Sequence, residues 1–371
     1  MRITFLMPGW PWIPSGGFRV VYEYASRLAE RGHAVTVVHP FRLLHPAAGS
    51  RKLRPRVREF LLAAKACLQK PVPSWQSIHP EVNMVYVPDS AHWRLPDGDA
   101  LFATGWQTVA SVLQCSPAQG EKFYLVQGYE TWMGEKQAVD ETWRAIPNRI
   151  VVGRWLLDIA DSLGCSGTAY IPNGLDQRRY SLQRSISDRS KQIALQYSTI
   201  PVKGTRDGIE ALEIVKQSHP DLKAVCFGVD RRQQWLPGWI KYQHNPSQSF
   251  IVGQIYNASA IYISPSWSEG CGMPLAEAAA CGCALVATDI GGHREHIIHE
   301  QTGLLSEPGN PVAMAANICL LLENSQLRTN MALAAMDVAK TKDWDVSTTR
   351  LEEFIASALR HEHPVEPVVV C

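Results

Sequence analysis

Two glutamates eight positions apart, Glu269 and Glu277, bracket the turn EGCGMPLAE directly after the apolar run AIYIS. Burying a carboxylate without a partner is costly, so this pair at the end of a strand-like run calls for a chemical reason. Pro274 sits where a helix begins, because its fixed φ suits the first turn and its missing N–H is not needed there. The helix runs through LAEAAAC and stops at Gly282. Its free N–H groups and positive dipole end therefore face the loop 268–273, at the end of a strand, where open α/β sheets bind ligands. Gly270 and Gly272 let the backbone approach an anion closely. Such a turn suits a phosphate or diphosphate. Glu277, one turn into the helix, can accept two hydrogen bonds from a vicinal diol such as a ribose, while Glu269 reaches a different hydroxyl-bearing group beyond the phosphates. The pattern alone fits a plainer account equally well, with Glu277 complementing the helix dipole and Glu269 solvated.

The elements needed to hold such a turn recur along the chain. RITFLM is a short β-rich run, PGWPWIPSGG a loop, VVYEYASRLAERG a helix ended by Gly32, and AVTVV a second strand. That strand, helix, strand unit is the building block of a parallel sheet. The second half repeats it, with strands at QIALQYS, KAVCFG, AIYIS and ALVAT separated by helical stretches. With 371 residues, 46% of them hydrophobic, the chain is long enough for two domains. The join is placed near IPNGLD, giving an N-terminal domain over 1–170 and a C-terminal domain over 171–345, with a final helical segment 346–371 returning to the first.

Composition excludes several classes. Lys+Arg 36 against Asp+Glu 35 leaves a net charge of +1, so no bulk field draws the chain to nucleic acid. The nine cysteines are scattered. Cys281 and Cys283 form a close pair with no second Cys/His cluster, which argues against zinc and for buried thiols in a reduced, cytosolic chain. No D-x-D-like motif with supporting ligands appears, so no metal and no cofactor is expected. MRITFLMPGWPWIP is too short an apolar stretch for a signal peptide, and no run reaches membrane-spanning length. Segment 51–70 carries seven Lys/Arg and one acid among leucines. It reads as a solvated helix face or as a basic amphipathic helix resting on anionic lipid, which would make the protein peripheral at the inner membrane face.

The block SPSWSEGCGMPLAEAAACGCALVATDIGGHREHIIHEQTGLL (264–305) resembles the E-x7-E signature of retaining glycosyltransferases of family 4. SGGFRVVYEYASRLAERGHAVTVV, IPNGLD and PVKGTRDGIEAL fall in the same order as in that family. The likeness covers nearly all of the second domain and the first forty residues. It implies the GT-B fold, α/β, with two Rossmann-like domains whose parallel sheets face across a cleft. It also implies sugar transfer from a nucleotide diphosphate sugar to a carbohydrate or lipid-linked acceptor, with retention and by domain closure.

Carried over by position, Glu277 resembles the ribose-binding glutamate and Glu269 the one that contacts the transferred sugar. Gly270, Cys271, Gly272, Met273, Pro274 and Leu275 match the turn whose amides meet sugar and diphosphate. Lys203 matches the lysine that neutralises the diphosphate, and Gly16 and Gly17 match the glycine pair that contacts the donor from the first domain. Many members carry an arginine five residues before that lysine; here the position is Ser198, and Arg206 is the candidate for the second charge. Where many relatives have a histidine near the acceptor, YLVQGYETW offers Gln127 and Glu130, similar to a branch that includes rhamnosyltransferases. The alternative for Glu130 is a cap on the following helix.

Eight of the twelve tryptophans lie in the first domain. Most are expected in its core, with Trp10 and Trp12, beside the glycine pair, as acceptor-side candidates. Base recognition is assigned to IKYQHNPSQSF (240–250). Competing readings are a nucleotide-sugar epimerase of the same architecture and a non-catalytic sugar-nucleotide binder, which the serine at 198 favours. A nicotinamide dehydrogenase is disfavoured, since no G-x-G-x-x-G follows the first strand.

Overall fold

Runs such as ALFA, IYIS and ALVAT show no polar alternation, the mark of strands covered on both faces, as parallel sheets require. A computed structural model describes residues 1–44, 61, 64–66, 68–69 and 71–360. The basic segment 51–70 lies for the most part outside the described residues, as does 361–371 of the final helical segment.

The chain divides into two compact units, one holding Met1–Pro172 and the last helix from Trp344 onward, the other Asn173–Asp343. The first contains β1 (Arg2–Leu6), β2 (Ala34–Arg42), β3 (Asn83–Asp89), β4 (Ala100–Ala103), β5 (Glu121–Val126), β6 (Asn148–Val151) and β7 (Ala169–Tyr170). They form one sheet in the order β3-β2-β1-β4-β5-β6-β7. The second contains β8 (Gln192–Gln196), β9 (Lys223–Gly228), β10 (Lys241–His244), β11 (Ile261–Ser264), β12 (Ala284–Thr288) and β13 (Leu304–Ser306), in the order β10-β9-β8-β11-β12-β13. Every pairing is parallel.

Each sheet grows outward in both directions from its first strand, so strand order reverses between β1 and β4 and again between β8 and β11. At such a reversal the connections leave to opposite faces and open a crevice beyond the carboxyl ends of the strands. Alternate residues of the second sheet feed two cores. Ile193, Leu195 and Val286 pack with Leu212, Val215 and Ile318 on one side. Ala194, Leu285 and Ala287 pack with Tyr256 and the alanines of helix Met273–Ala280 on the other.

The first helix spans Gly16–Glu30, so the glycine pair expected in the preceding loop forms its opening residues instead. Glycine is tolerated there because the first N–H groups of a helix have no intrahelical partner to lose. The last helix, Trp344–Leu359, packs against it: Arg31 Nη2 donates to Asp345 O at 2.8 Å, and His33 Nε2 lies 2.7 Å from Glu352 Oε1. KYQH, inside the stretch assigned to base recognition, forms the edge strand β10; its half-exposed, polar side chains hide the strand from an apolar-run criterion.

A buried arginine ties the second unit together. Arg189 Nη1 donates to Ser259 O at 2.9 Å and Nη2 to Cys281 O at 2.5 Å and Arg184 O at 3.1 Å, closing the carboxyl end of helix Met273–Ala280. Replacing it with alanine leaves these carbonyls short of donors in a dry site. Arg189→Ala is therefore expected to lose about 2 to 4 kcal/mol in urea unfolding.

Candidate functional site

Lys203 and Glu269 stand on the connections that leave β8 and β11, the two neighbouring strands at which the second sheet reverses its order. Lys203 ends a short 3-10 turn, Pro201–Lys203, and Gly204 follows with φ 58°. A Cβ at Gly204 would sit 2.0 Å from Pro265 O, so backbone from the β11 connection occupies the space a side chain would need. The two connections are also bonded to each other. Trp267 N donates to Val202 O at 2.8 Å, and Trp267 Nε1 donates to Asp207 Oδ2 at 2.7 Å.

With the loops fixed, Lys203 Nζ lies 2.8 Å from both carboxylate oxygens of Glu269. Ser266 Oγ donates to Oε1 at 2.8 Å. Burial alone would raise the Glu269 carboxyl, but the lysine charge, the nearby His293 and these hydrogen bonds together hold it below the usual carboxylate range. Behind the pair runs a polar relay. Thr288 Oγ1 donates to Ser266 O, His293 Nδ1 donates to Thr288 O at 2.8 Å, and Ser264 Oγ lies 3.0 Å from His293 Nε2. The carbonyl of Thr288 is an acceptor only, which places a proton on Nδ1. Burial, the largest influence on His293, pushes its pKa down, against the opposing pull of Glu269 and of the Thr288 carbonyl. Gly292 completes the support, since a Cβ there would come within 2.2 Å of Glu269 O.

The turn then enters helix Met273–Ala280 through Gly272, at φ 64°, with Pro274 in the first turn. Cys271 is buried and its thiol is pushed up to about 12 by burial, so it is a packing residue rather than a nucleophile. His296 Nε2 donates to Cys271 O, and burial pulls that imidazole down to about 3. Glu277 is buried on the same helix and Tyr256 OH donates to its Oε2 at 3.0 Å, which fixes the carboxylate's direction.

Arg206 opens helix Thr205–Ser218 as expected, but its guanidinium lies 4.8 Å from the centroid of the Trp235 ring, a contact that does not include the Lys203–Glu269 pair. At Ser198 the local geometry is taken up by Asp230, whose Oδ2 accepts from Thr199 N at 2.7 Å and Thr199 Oγ1 at 2.9 Å.

In the first unit, Gln127 Nε2 donates to Gly17 O at 3.1 Å, joining two of the expected positions, while Gly16 has open space where a side chain would point. Trp10 packs 5.0 Å from Trp12 and edge-on to Phe41 and Tyr86, and Trp12 is 64% exposed. Glu130 is half-buried, and burial pushes its carboxyl up to about 7. It does not cap the next helix: Glu135 holds the N-cap position, with no side-chain bond there. Among the described residues, no group of three or more His, Cys, Asp or Glu side chains could hold a metal ion. Nor is any helix among them long and apolar enough to cross a membrane.

Sequence reading overlooked Tyr256, Ser264, Ser266, Trp267, Thr288 and His293. Their types carry no motif, and only GGHR, directly after the ALVAT strand, offered a signal in the form of a histidine in a glycine turn.

Residues 179–337, which contain Lys203, Glu269, His293 and Glu277, match the family model "Glycosyl transferases group 1". That match covers less than half of the chain. A glycogen synthase of Mycobacterium tuberculosis is 26% identical over 218 residues, 55% of this chain and 52% of that protein. A D-inositol 3-phosphate glycosyltransferase of Corynebacterium efficiens is 29% identical over 139 residues, 38% of this chain and 31% of that one. The chain thus spans about half or less of the length of these relatives. Over nearly its whole length it is similar to sucrose-phosphate synthase from Thermosynechococcus elongatus, with TM-score 0.71, 15% identity, and 97% of this chain and all (100%) of that one covered. Anabaena HepE in complex with UDP-glucose gives TM-score 0.71 at 18% identity over 96% of this chain and 100% of that one. At these identities the likeness shows the fold alone, and that fold is GT-B.

The Lys203–Glu269 ion pair makes stability depend on pH in a definite sense. Glu269 has its folded pKa depressed, so its contribution is present above the unfolded value and is lost as pH falls through the folded one. Lys203→Met removes the counter-charge and leaves burial to dominate. Urea titrations are expected to show a loss of about 1 to 3 kcal/mol at pH 7, shrinking as pH is lowered below about 5.

Proposed function

We propose that the chain is a glycosyltransferase that moves a sugar from a nucleotide diphosphate sugar to a hydroxyl acceptor, whether glycan, glycolipid or small molecule, with retention of configuration as in family 4. The observation that carries this reading is the Lys203–Glu269 pair at the sheet's reversal, within the residues that match the group 1 model. Lys203 is a cation placed where an anionic ligand can displace Glu269 from it, and displacement frees Glu269 to accept hydrogen bonds from hydroxyls of the sugar. The amides of Gly270 to Leu275 at the helix N-terminus face the same anion. Glu277, aimed by Tyr256, takes the ribose hydroxyls.

As the glycosidic bond breaks, negative charge grows on the diphosphate. Lys203, the helix N-terminus and Arg206 oppose it, and this stabilisation is the main source of rate. The acceptor's oxygen forms the new bond on the face the diphosphate leaves, and a leaving-group oxygen takes its proton. Neutralisation by these groups requires no metal or other cofactor. Gly16 and Gly17 are assigned to the donor, and Gln127, Glu130, Trp10 and Trp12 to the acceptor. The protein is assigned to the cytoplasm, with peripheral contact at the inner membrane face through 51–70.

HepE was solved with UDP-glucose, so UDP-glucose is the first donor to try, followed by GDP-, ADP- and dTDP-sugars. A bound nucleotide at 100 times its dissociation constant adds roughly 2.7 kcal/mol, which a thermal-shift screen detects and uses to identify the base. With the base known, Lys203→Ala is expected to lower kcat about a hundredfold, as for removal of a charge-stabilising donor. Glu277→Ala is expected to weaken nucleotide binding about tenfold or more, the loss of a charge-assisted hydrogen-bonding pair. Rates near wild type in both variants overturn the scheme.

A further inference from the structure

The peptide between Cys271 and Gly272 lies at the centre of the turn assigned to the diphosphate, and the chain there does not dictate its direction. Gly272, at φ 64° and ψ 43°, is the N-cap of helix Met273–Ala280 and offers no side chain to bond the helix's first N–H groups. Glycine reaches left-handed and right-handed backbone with like ease, so the plane before it can flip and exchange its carbonyl for its N–H. No side chain at 272 could settle the matter, since a Cβ there would come 3.1 Å from His293 Cδ2 and 3.3 Å from Gly292 O. What holds the plane is His296, whose Nε2 donates to Cys271 O and lies 3.6 Å from Cys271 Sγ. The imidazole is buried, its Nδ1 has no hydrogen-bond partner among the described residues, and a carbonyl only accepts, which places a proton on Nε2. The backbone of His296 is fixed in turn, its N–H donating to His293 O at 3.0 Å and its carbonyl accepting from Thr302 Oγ1 at 3.4 Å.

In a trans peptide the carbonyl and the N–H of one plane point to opposite sides, and every described peptide is trans. With the carbonyl of Cys271 turned to the buried imidazole, the N–H of Gly272 points away from it. Gly272 is itself buried, and among the described residues its N–H meets no acceptor. A buried N–H left in that state is uncommon in folded proteins, and an anion seated on the turn supplies the acceptor. We propose that His296 is the positioning residue of this turn: by holding the carbonyl of Cys271 inward, it presents the N–H of Gly272 to the diphosphate. The inference rests on the diphosphate reading given above and adds the residue that orients the turn.

The full chain labelled with carbon-13 at cysteine carbonyls and nitrogen-15 at glycine reports this directly by NMR, because only two Cys–Gly steps occur in the sequence, Cys271–Gly272 and Cys281–Gly282. The probe is whichever of UDP, GDP, ADP and dTDP wild type binds best. On its addition the Gly272 amide resonance is expected to move downfield, while that of Gly282, past the far end of the helix, stays in place. His296→Leu removes the donor. It is expected to weaken the same nucleoside diphosphate about tenfold, the loss of one charge-assisted hydrogen bond, and to change affinity for the parent nucleoside by less than about twofold. His296→Gln, whose amide can still donate to the carbonyl, is expected to stay within about threefold of wild type for both ligands. Equal diphosphate binding by wild type and His296→Leu, an equal loss of the nucleoside, or no rescue by His296→Gln overturns the positioning role. Should His296→Leu fail to fold, the labelled wild type decides alone: a bound diphosphate that leaves Gly272 unmoved overturns this inference and spares the donor reading. Wild type that binds no nucleoside diphosphate overturns the donor reading itself, and this inference with it.

Discussion

A half-buried ammonium and a largely buried carboxylate depend on each other, because either one left alone would keep the cost of leaving water without the attraction that offsets it. Much of the local architecture around Lys203 and Glu269 serves to keep them 2.8 Å apart. Gly204 lets the lysine turn run against Pro265, Trp267 laces the two connections together, and Gly292 lets a third connection lie flat on the backbone of Glu269. The relay from Ser264 through His293 and Thr288 to Ser266 then sets the angle of the carboxylate.

The placement follows from the winding of the sheet. Both units begin at a central strand and add strands outward on either side, so each has a single reversal, and in the second unit it falls between β8 and β11. The connections that leave neighbouring strands there diverge, and polar groups at their starts can meet without being covered by a crossing helix. A lysine and a glutamate sixty-six residues apart in sequence are brought together by this winding, not by local preference.

Glu269 and Glu130 show how one residue type can be set to opposite tasks. Both follow a strand of a parallel sheet and both are substantially withdrawn from water. Glu269 has a lysine and a serine on its oxygens and is held ionised, while Glu130 has neither and is pushed toward neutrality. The difference lies in the partner, since desolvation acts upward on both. A fold that keeps an uncompensated acid gives up stability above neutral pH.

The sequence by itself determined the α/β class, the helix that starts at Pro274 and stops at Gly282, and the cluster of backbone amides between Glu269 and Leu275, because apolar runs, proline, glycine and chain direction act over a few residues. Lys203 was reached only through the family resemblance of the segment PVKGTRDGIEAL. The sequence could not disclose that Lys203 and Glu269 share a bond, that Tyr256 aims Glu277, that Arg206 lies on Trp235, or that the half-polar KYQH is an edge strand. Those contacts span from a dozen to dozens of residues, and their energies depend on which strands become neighbours. Burial, which separates the ionised Glu269 from the reluctant Glu130, is likewise a property of the packed chain, and only the tertiary structure decided it.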